Sequence, residues 1–270
     1  MGAELKKLEG KVALVTGASK AIGQGLAIGL AAAGARLAVN YKTDPQGAET
    51  TCGRIRQAGG EAEPFQADIG SKDQFERLVD QVCERFGRID VLVNNAARTR
   101  FSPFDEQTEQ DFDDVVNTNL RGPFFGTQAA ARRMREQDGG SVINISSIAA
   151  SLGVMYHSSY TMAKCGLEGL TRQLALELAP RVRVNAIAPA PTSSERNRIY
   201  DPKFDEKWSA IIPAGRVGTV DDYVGPCIFL ASDDAAFVTG QILVVDGGWT
   251  FKGMTPDMTT QDFSEERTRG

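Results

Sequence analysis

The sequence is poor in the residues from which metal sites and disulfide frameworks are built. Histidine occurs once, as His157, and the four cysteines, Cys52, Cys83, Cys165 and Cys227, form no CxxC pair. Zinc sites use cysteines and histidines at short, regular spacings, so the sequence predicts no metal site. Scattered cysteines without a hydrophobic signal segment are typical of reduced thiols, and we therefore expect a cytoplasmic protein.

Long hydrophobic runs and an excess of positive charge are also missing. The longest apolar run, residues 25–35, has 11 residues, whereas a transmembrane helix needs about 20. Lys and Arg total 30 against 35 for Asp and Glu, which gives a formal net charge of -5. Such a chain has no general attraction for nucleic acids or anionic membranes, so we expect neither as a partner. The GxSxG and GxxxxGK[ST] motifs of serine hydrolases and P-loop enzymes are absent as well.

Short apolar runs alternate with longer helical patterns along the chain. The predicted strands are residues 12–16, 36–40, 62–67, 89–93, 141–145, 182–187 and 241–245. The predicted helices are residues 21–34, 45–58, 71–86 with Ser71 as N-cap, 108–136 and 158–179, and residues 195–231 are predicted as loop and short helices.

Strands that are apolar throughout indicate a parallel sheet covered on both faces. We therefore predict an α/β fold, a single-domain doubly wound (Rossmann) parallel sheet of about seven strands with helices on both faces. This domain is predicted to span residues 1–251. The polar residues 252–270 are predicted to form a C-terminal tail, with an arm packed on a neighbouring subunit as the alternative.

The first predicted strand runs directly into a glycine-containing turn, residues 16–23, which a helix follows. Gly17 permits a tight turn, and Gly23 permits close packing of the helix against the strand. The N-terminus of that helix presents free N–H groups and partial positive charge to a pyrophosphate. The turn therefore predicts a dinucleotide site, and its further predicted contacts are Ser19, Lys20 and Ile22.

A second pattern lies near the middle of the chain. Tyr160 and Lys164 are four residues apart, which places them on one helical face, and Ser147 precedes Tyr160 by 13 residues. A cation one turn away favours the ionised phenol, so we expect Lys164 to lower the pKa of Tyr160. Together with the glycine turn, these residues resemble the active site of the short-chain dehydrogenase/reductase family, and the likeness extends from about Leu8 to Gly248.

The resemblance implies a ketoreductase-type oxidoreductase that interconverts a carbonyl and a secondary alcohol by hydride transfer. The four matching catalytic positions are Asn119, Ser147, Tyr160 and Lys164. Tyr160 would be the general acid in reduction and the base in oxidation, and Ser147 would hydrogen-bond the carbonyl oxygen. Lys164 would also bind the nicotinamide ribose, and Asn119 would anchor a water that relays protons to Lys164.

The resemblance also assigns the cofactor contacts. Asn40, Tyr41 and Lys42 end the second strand without the acidic residue usual in NAD-binding proteins, and Lys20 lies in the glycine turn. We therefore expect NADP(H), with NAD(H) as the alternative. The remaining implied contacts are Asp68 and Ile69 at the adenine, Asn95, Ala96 and Ala97 at the ribose, Pro189, Ala190, Thr192 and Ser194 at the carboxamide, and Tyr160 and Lys164 themselves.

Three positions depart from the family's glycines, and they are Ala21, Ala97 and Ala190. An added methyl group costs little where the backbone is helical and more where φ is positive. The sequence therefore raises the question of how these alanines affect cofactor affinity.

The substrate end is less defined by the sequence. A variable lid is expected near residues 193–215, and the candidate pocket residues are Met155, Tyr156, His157 and Trp208. The motifs resemble those of 3-oxoacyl-carrier-protein reductases and glucose 1-dehydrogenase-like enzymes. A carrier-protein reductase needs a basic patch, for which the candidates are Arg98, Arg100, Arg132 and Arg133.

Two alternatives differ from this prediction. One is an NAD-dependent dehydrogenase that oxidises a sugar or cyclic alcohol, and the other is a non-catalytic nucleotide-sensing protein. The resemblance also implies a small-molecule carbonyl or alcohol substrate and a homotetramer or homodimer.

Overall fold

A computed structural model describes residues 6–252, and of the predicted tail only Lys252 falls among the described residues. Its centre is a seven-stranded sheet in the order β3-β2-β1-β4-β5-β6-β7, and every neighbouring pair is parallel. The strands are β1 Val12–Val15, β2 Arg36–Tyr41, β3 Ala62–Gln66, β4 Val91–Asn94, β5 Gly140–Ile145, β6 Val182–Pro189 and β7 Ile242–Val245. The predicted doubly wound sheet is confirmed.

Helices connect the strands, as parallel pairing requires. They are α1 Ala21–Ala32, α2 Pro45–Gln57, α3 Lys72–Phe86, α4 Glu109–Val116, α5 Gly122–Arg135, α6 Ser158–Glu177, α7 Glu195–Tyr200, α8 Phe204–Ser209 and α9 Asp221–Ala231. Short 3₁₀ turns lie at Phe104–Glu106, Ile148–Ala150, Asp233–Ala235 and Trp249–Phe251. In the described part of the chain no helix is long and apolar enough to cross a membrane.

Alternation along the buried strands divides the core into two layers. On β1, Ala13 and Val15 face one layer, whereas Val12 and Leu14 face the other. The first layer is covered by α1, α2 and α9, and the second by α3, α5 and the C-terminal end of α6. Because successive side chains of a strand point to opposite faces, continuous apolar strands require this double covering.

Three sequence predictions differ from the structure in detail. The predicted helix 108–136 is broken by a π turn at Asn117–Arg121 between α4 and α5. Ser71 occupies the N-cap of α3, but its side chain accepts no capping hydrogen bond. The region 195–231 ends in the 11-residue helix α9, because Tyr223, Cys227 and Leu230 bury one face of it against the sheet.

Candidate active site

Most of the predicted site residues lie at or near the carboxyl ends of strands β1 to β6. The strand order reverses direction between β1 and β4, so the chain leaves these two strands toward opposite sides and opens a crevice there. A cleft of about 290 Å³ lies at this edge. Its walls include seven predicted cofactor residues, Gly17, Asn40, Lys42, Asp68, Ile69, Ala96 and Ala97, together with Arg98, Thr99, Thr118 and Arg196.

Thr16, which the sequence analysis assigned no role, holds the two sides of the cleft together. Its hydroxyl donates to the Val93 carbonyl at 3.2 Å and accepts from the backbone N–H groups of Asn95 at 2.9 Å and Ala96 at 3.0 Å. The Asn95 amide returns the contact by donating to the carbonyls of Thr16 at 2.8 Å and Gly17 at 3.2 Å. The Asn95 side chain is thus committed to shaping the glycine turn.

The glycine turn leaves no room for larger residues at two positions. Gly17 has a φ of +62°, and a Cβ there would lie 2.9 Å from the Ala96 Cα. A Cβ on Gly23 would lie 2.4 Å from both the Gly17 carbonyl oxygen and the Asn95 Nδ2. The N-terminus of α1 is therefore in close contact with the turn, which is the arrangement a pyrophosphate needs.

Of the three alanines at family glycine positions, only Ala21 has a positive φ, of 49°. The left-handed conformation costs a non-glycine residue about 1 kcal/mol or more, so the methyl group of Ala21 is strained. Ala97 lines the cleft and Ala190 is buried beside β7, where its N–H donates to the Val245 carbonyl at 3.1 Å. Replacement of a family glycine by alanine therefore strains the backbone at Ala21 but not at Ala97 or Ala190.

Asn40 and Lys42 make different contacts at the end of β2. The buried Asn40 accepts from the Gly17 N–H at 3.2 Å and donates to the Ala67 carbonyl at 3.2 Å, so it shapes the turn. Lys42 forms an ion pair with Asp68 at 2.6 Å on the cleft wall. The other predicted residues of this region, Ser19, Lys20, Ile22 and Tyr41, lie outside the cleft lining, with Ser19 buried and Lys20 exposed.

Tyr160 and Lys164 lie one turn apart on α6, as predicted. The Lys164 Nζ is 5.6 Å from the centre of the Tyr160 ring and donates to the Ile145 carbonyl at 2.6 Å. Burial raises the pKa of Tyr160 above its usual value, whereas a hydrogen bond with Ser147 and the positive charge of Arg196 act in the opposite direction. Burial also lowers the pKa of Lys164 to about 8.

The prediction that Lys164 lowers the pKa of Tyr160 is therefore wrong for this structure. The lysine ammonium is turned to the end of β5, where it donates a hydrogen bond to the Ile145 carbonyl. The loss of hydration around the phenol outweighs the contacts that lower its pKa. Ser147 is in place, since it hydrogen-bonds Tyr160 and also accepts from the Ala149 N–H at 3.1 Å.

Asn119 is fully buried in the π turn, and both ends of its amide are occupied. Its Oδ1 accepts from the Arg98 N–H at 2.7 Å, and its Nδ2 donates to the Arg98 carbonyl at 2.9 Å. Pro123, four residues further on, has no N–H and cannot donate the α-helical hydrogen bond to the Asn119 carbonyl. The Asn119 side chain therefore fixes the backbone of the segment after β4. The Asn119 backbone carbonyl lacks the N–H partner that it would have in a regular α-helix.

The predicted carboxamide residues lie at the end of β6 and just after it, and the hydroxyls of Thr192 and Ser194 form hydrogen bonds within the protein. Thr192 donates to the Ala190 carbonyl at 2.9 Å and shares a 2.7 Å hydrogen bond with Tyr223. Ser194 caps α7 by accepting from the Asn197 N–H at 3.2 Å. Pro189 ends β6 itself.

An aromatic group surrounds the approach to Tyr160. The Phe101 ring is 4.2 Å from His157 and 6.1 Å from Tyr200, and His157 is 5.7 Å from Tyr160. Of the other predicted pocket residues, Met155 and Tyr156 are exposed and Trp208 packs on Trp249. Among residues 6–252, no cluster of His, Cys, Asp or Glu could hold a metal ion.

The buried charge of Lys164 makes a testable prediction about stability. Because the folded pKa is about 8 and the usual value is 10.5, the unfolded chain holds more protons between these pH values. The free energy of unfolding should therefore rise with pH in that window, by about 1 kcal/mol between pH 8 and 9. Urea unfolding of the wild type and of Lys164→Met at both pH values measures this difference.

The comparison of the wild type with Lys164→Met isolates the contribution of the lysine. Burial raises the pKa of Cys52 to about 11 and of Cys227 to about 12, from a usual value of 9.0. Both thiols therefore make the free energy of unfolding fall as the pH rises above 9.0. This contribution is common to both proteins and cancels in the difference. Parallel pH dependences would show that Lys164 keeps its ordinary pKa in the fold.

Comparison with known proteins agrees with this geometry. The family described as Enoyl-(Acyl carrier protein) reductase matches residues 17–250. The 3-oxoacyl-[acyl-carrier-protein] reductase of Staphylococcus aureus is 38% identical over 239 residues, which cover 88% of this chain and 97% of that protein.

Solved structures match over nearly the whole described chain. A short-chain type dehydrogenase/reductase from Mycobacterium marinum is 33% identical with a TM-score of 0.87, covering 92% of this chain and 98% of that one. A gluconate 5-dehydrogenase from Burkholderia cenocepacia, solved with NADP and tartrate, is 36% identical with a TM-score of 0.86 and the same coverage. With a glycine turn, a Ser147–Tyr160–Lys164 group and these relatives, the chain belongs to the short-chain dehydrogenase/reductase family of oxidoreductases.

Proposed function

We propose that the protein is an NADP(H)-dependent oxidoreductase that interconverts a carbonyl and a secondary alcohol. The observation that carries the proposal is the group of Ser147, Tyr160 and Lys164, which lies at the same edge of the sheet as the glycine turn. Ser147 acts on the pKa of Tyr160 as a hydrogen-bond partner, and Lys164 lies one helical turn from Tyr160. The turn fits a dinucleotide, because only glycine is accommodated at positions 17 and 23. When bound, the nicotinamide supplies or accepts the hydride at the substrate carbon.

Tyr160 is the proton donor and acceptor of the proposed reaction. The phenol is protonated at neutral pH, as a proton donor must be, but burial raises its pKa and makes it a weaker acid. Ser147 and Arg196 act against this effect and bring the pKa of Tyr160 closer to the operating pH, where a general acid is most effective. Ser147 is placed to donate a hydrogen bond to the same substrate oxygen as negative charge develops on it. In oxidation the proton moves the other way, from the alcohol to the phenolate.

Lys164 and Asn119 support that proton transfer in the proposal. With a pKa of about 8, Lys164 is mostly charged at pH 7 and can exchange its proton within the physiological range. A positive charge on α6 also suits the proposed contact with the nicotinamide ribose. The side-chain amide of Asn119 is already hydrogen-bonded to Arg98 at both ends. Its backbone carbonyl receives no α-helical hydrogen bond, because Pro123 has no N–H. We therefore propose that the carbonyl, and not the amide, binds the water that relays protons to Lys164.

The choice of NADP(H) over NAD(H) rests on charge. Lys20 is exposed at the glycine turn, whereas Lys42 is already paired with Asp68 at 2.6 Å. Lys20 is therefore the cation more available to a 2′-phosphate. The gluconate 5-dehydrogenase relative was solved with NADP, and this supports the same choice. NAD(H) remains the alternative cofactor.

Charge reversal at Lys20 should change the cofactor preference. We expect Lys20→Glu to weaken NADPH binding by about 10- to 100-fold and to leave NADH binding within a few-fold, since only NADPH carries the 2′-phosphate. Titration of reduced-nicotinamide fluorescence measures both affinities. Lys203→Glu, an exposed lysine that does not line the cleft, is the control. An unchanged NADPH-to-NADH ratio would favour the NAD-dependent alternative.

A free small molecule fits the protein better than a carrier-protein thioester. Each arginine of the candidate docking patch forms an ion pair, namely Arg98 with Asp114, Arg100 with Asp111, Arg132 with Glu76 and Arg133 with Asp80, at 2.6–3.6 Å. Their positive charge is therefore balanced locally and gives little attraction for an acidic carrier protein.

The remaining proposals concern assembly and location. Large apolar side chains are exposed on two faces, one with Phe112, Phe124 and Met162 on α4–α6 and one with Phe237 and Leu243 near β7. Two such faces support a homotetramer, with a homodimer as the alternative. We also propose a domain of residues 1–251 with a substrate lid near 193–215, in a cytoplasmic protein. A monomeric mass in sedimentation equilibrium would contradict the assembly.

A further inference from the structure

We propose that the substrate carries a carboxylate and that Arg196, on α7, binds it. This inference rests on the proposed function, because it concerns the substrate of the same site. It defines the substrate class as a hydroxy acid or the corresponding keto acid.

Arg196 extends from the lid region into the wall of the cleft. Its Nη1 donates to the Thr99 hydroxyl at 3.3 Å, and the guanidinium lies 5.8 Å from the centre of the Tyr200 ring. Its positive charge also acts on the Tyr160 phenol across the site. Arg196 thus lies within electrostatic range of the reacting oxygen and is held by one long, neutral hydrogen bond, which an anion can replace at small cost.

The charges around Arg196 set it apart from its neighbours. Arg98 pairs with Asp114 at 3.0 Å, Arg100 with Asp111 at 2.6 Å, and Arg198 of the same helix with Asp205 at 3.0 Å. Within residues 6–252, Arg196 forms no ion pair. The local positive charge at the substrate end is therefore concentrated on this guanidinium, which matches a carboxylate in shape and charge.

Successive aromatic contacts connect Arg196 with Tyr160. The Arg196 guanidinium lies over the Tyr200 ring, Tyr200 packs near Phe101, and His157 packs against both Phe101 and Tyr160. The pyrophosphate of a dinucleotide belongs instead at Gly17–Gly23, where the α1 N-terminus supplies the N–H groups. A hydroxy acid could place its reacting carbon at Tyr160 and its carboxylate at Arg196.

Matched alcohols test the proposal. D-Gluconate and D-glucitol differ at one carbon, which is a carboxylate in the first and a hydroxymethyl group in the second, and L-tartrate and L-threitol differ in the same way at two. With NADP⁺, the wild type should oxidise the acids with at least tenfold higher kcat/KM than the polyols. Arg196→Gln should raise KM for the acid by about 10- to 100-fold and leave KM for the polyol unchanged. Arg196→Lys should retain part of the acid selectivity.

One control variant and three contrary outcomes make the test decisive. Lys203→Gln removes an exposed lid cation outside the cleft and should change neither KM. An equal loss of acid and polyol turnover in Arg196→Gln, or an equal loss of NADPH affinity, would overturn the inference in favour of a lid or cofactor role. Polyol oxidation without acid preference, or reduction of uncharged ketones alone, would overturn it and leave the proposed oxidoreductase intact. No turnover of any alcohol or ketone would instead contradict the proposed function.

Discussion

Replacing Tyr160 by Phe should lower kcat for carbonyl reduction by about 10²- to 10⁴-fold, the usual contribution of a general acid. The substitution removes the hydroxyl that hydrogen-bonds Ser147 and keeps the ring that packs near His157 and over Lys164. NADPH affinity should therefore stay within a few-fold of the wild type. Single-turnover kinetics with excess NADPH and a fluorescence titration measure the two quantities separately.

Tyr156→Phe is the matched control for this experiment. Tyr156 is an exposed tyrosine four residues earlier in the chain, and the same hydroxyl is removed there without touching Ser147. We expect this variant to keep its kcat. If Tyr160→Phe retained wild-type turnover, another group would supply the proton. If neither wild type nor variant turned over any carbonyl while both bound NADPH, the nucleotide-sensing alternative would gain support.

Gly23→Ala should abolish most cofactor binding, with a loss of at least 100-fold in NADPH affinity. The new methyl group would lie 2.4 Å from the Gly17 carbonyl oxygen and 3.0 Å from the Ala18 Cα, and backbone atoms cannot move away as a flexible side chain can. Overpacking of this kind costs about 1–3 kcal/mol, which corresponds to a fall in Tm of about 2–12 °C for a chain of this size. Fluorescence titration and thermal unfolding measure both effects.

Gly53→Ala is the same substitution at a position with room for it. Gly53 lies in the interior of α2, and a Cβ there would have no heavy atom within 4 Å. Because alanine is the better helix former, this variant should be more stable by about 0.5–1 kcal/mol and bind NADPH normally. Wild-type NADPH affinity in Gly23→Ala would mean that the cofactor does not use the glycine turn.

The sheet could be predicted because its signals are local. Each strand is a short apolar run between helical patterns, and the period of the side chains fixes which faces are buried. The interruption between α4 and α5 has a local signal in Gly122 and Pro123, which the prediction of one helix over residues 108–136 did not use. The contact of Asn119 with the backbone of Arg98, 21 residues away, has no such local signal. Helix α9 falls in the region predicted as loop and short helices, and Gly225 and Pro226 within it hid its length because both indicate a loop.

The candidate catalytic positions could be identified because their spacing is a sequence pattern, but the surroundings of their side chains could not be predicted. The direction of the Tyr160 pKa depends on how completely the folded chain excludes water from the phenol. The amides of Asn40 and Asn95 look like ligand contacts in the sequence and bind the glycine turn in the structure. Arg196 carries no motif, and its place in the cleft follows from the path of the chain after β6.

The strand order has a consequence for how the protein folds. The pairing of β1 with β4 joins residues 78 positions apart, as between Ala13 and Val91, whereas β1 and β2 pair residues 24 apart, as between Val12 and Arg36. Closing the longer loop costs more chain entropy, and non-local pairings of this kind slow folding. The pairing of β1 with β4, beside which we place the cofactor, is thus expected to form late. The two halves of the sheet would by then have formed their own local strand pairs.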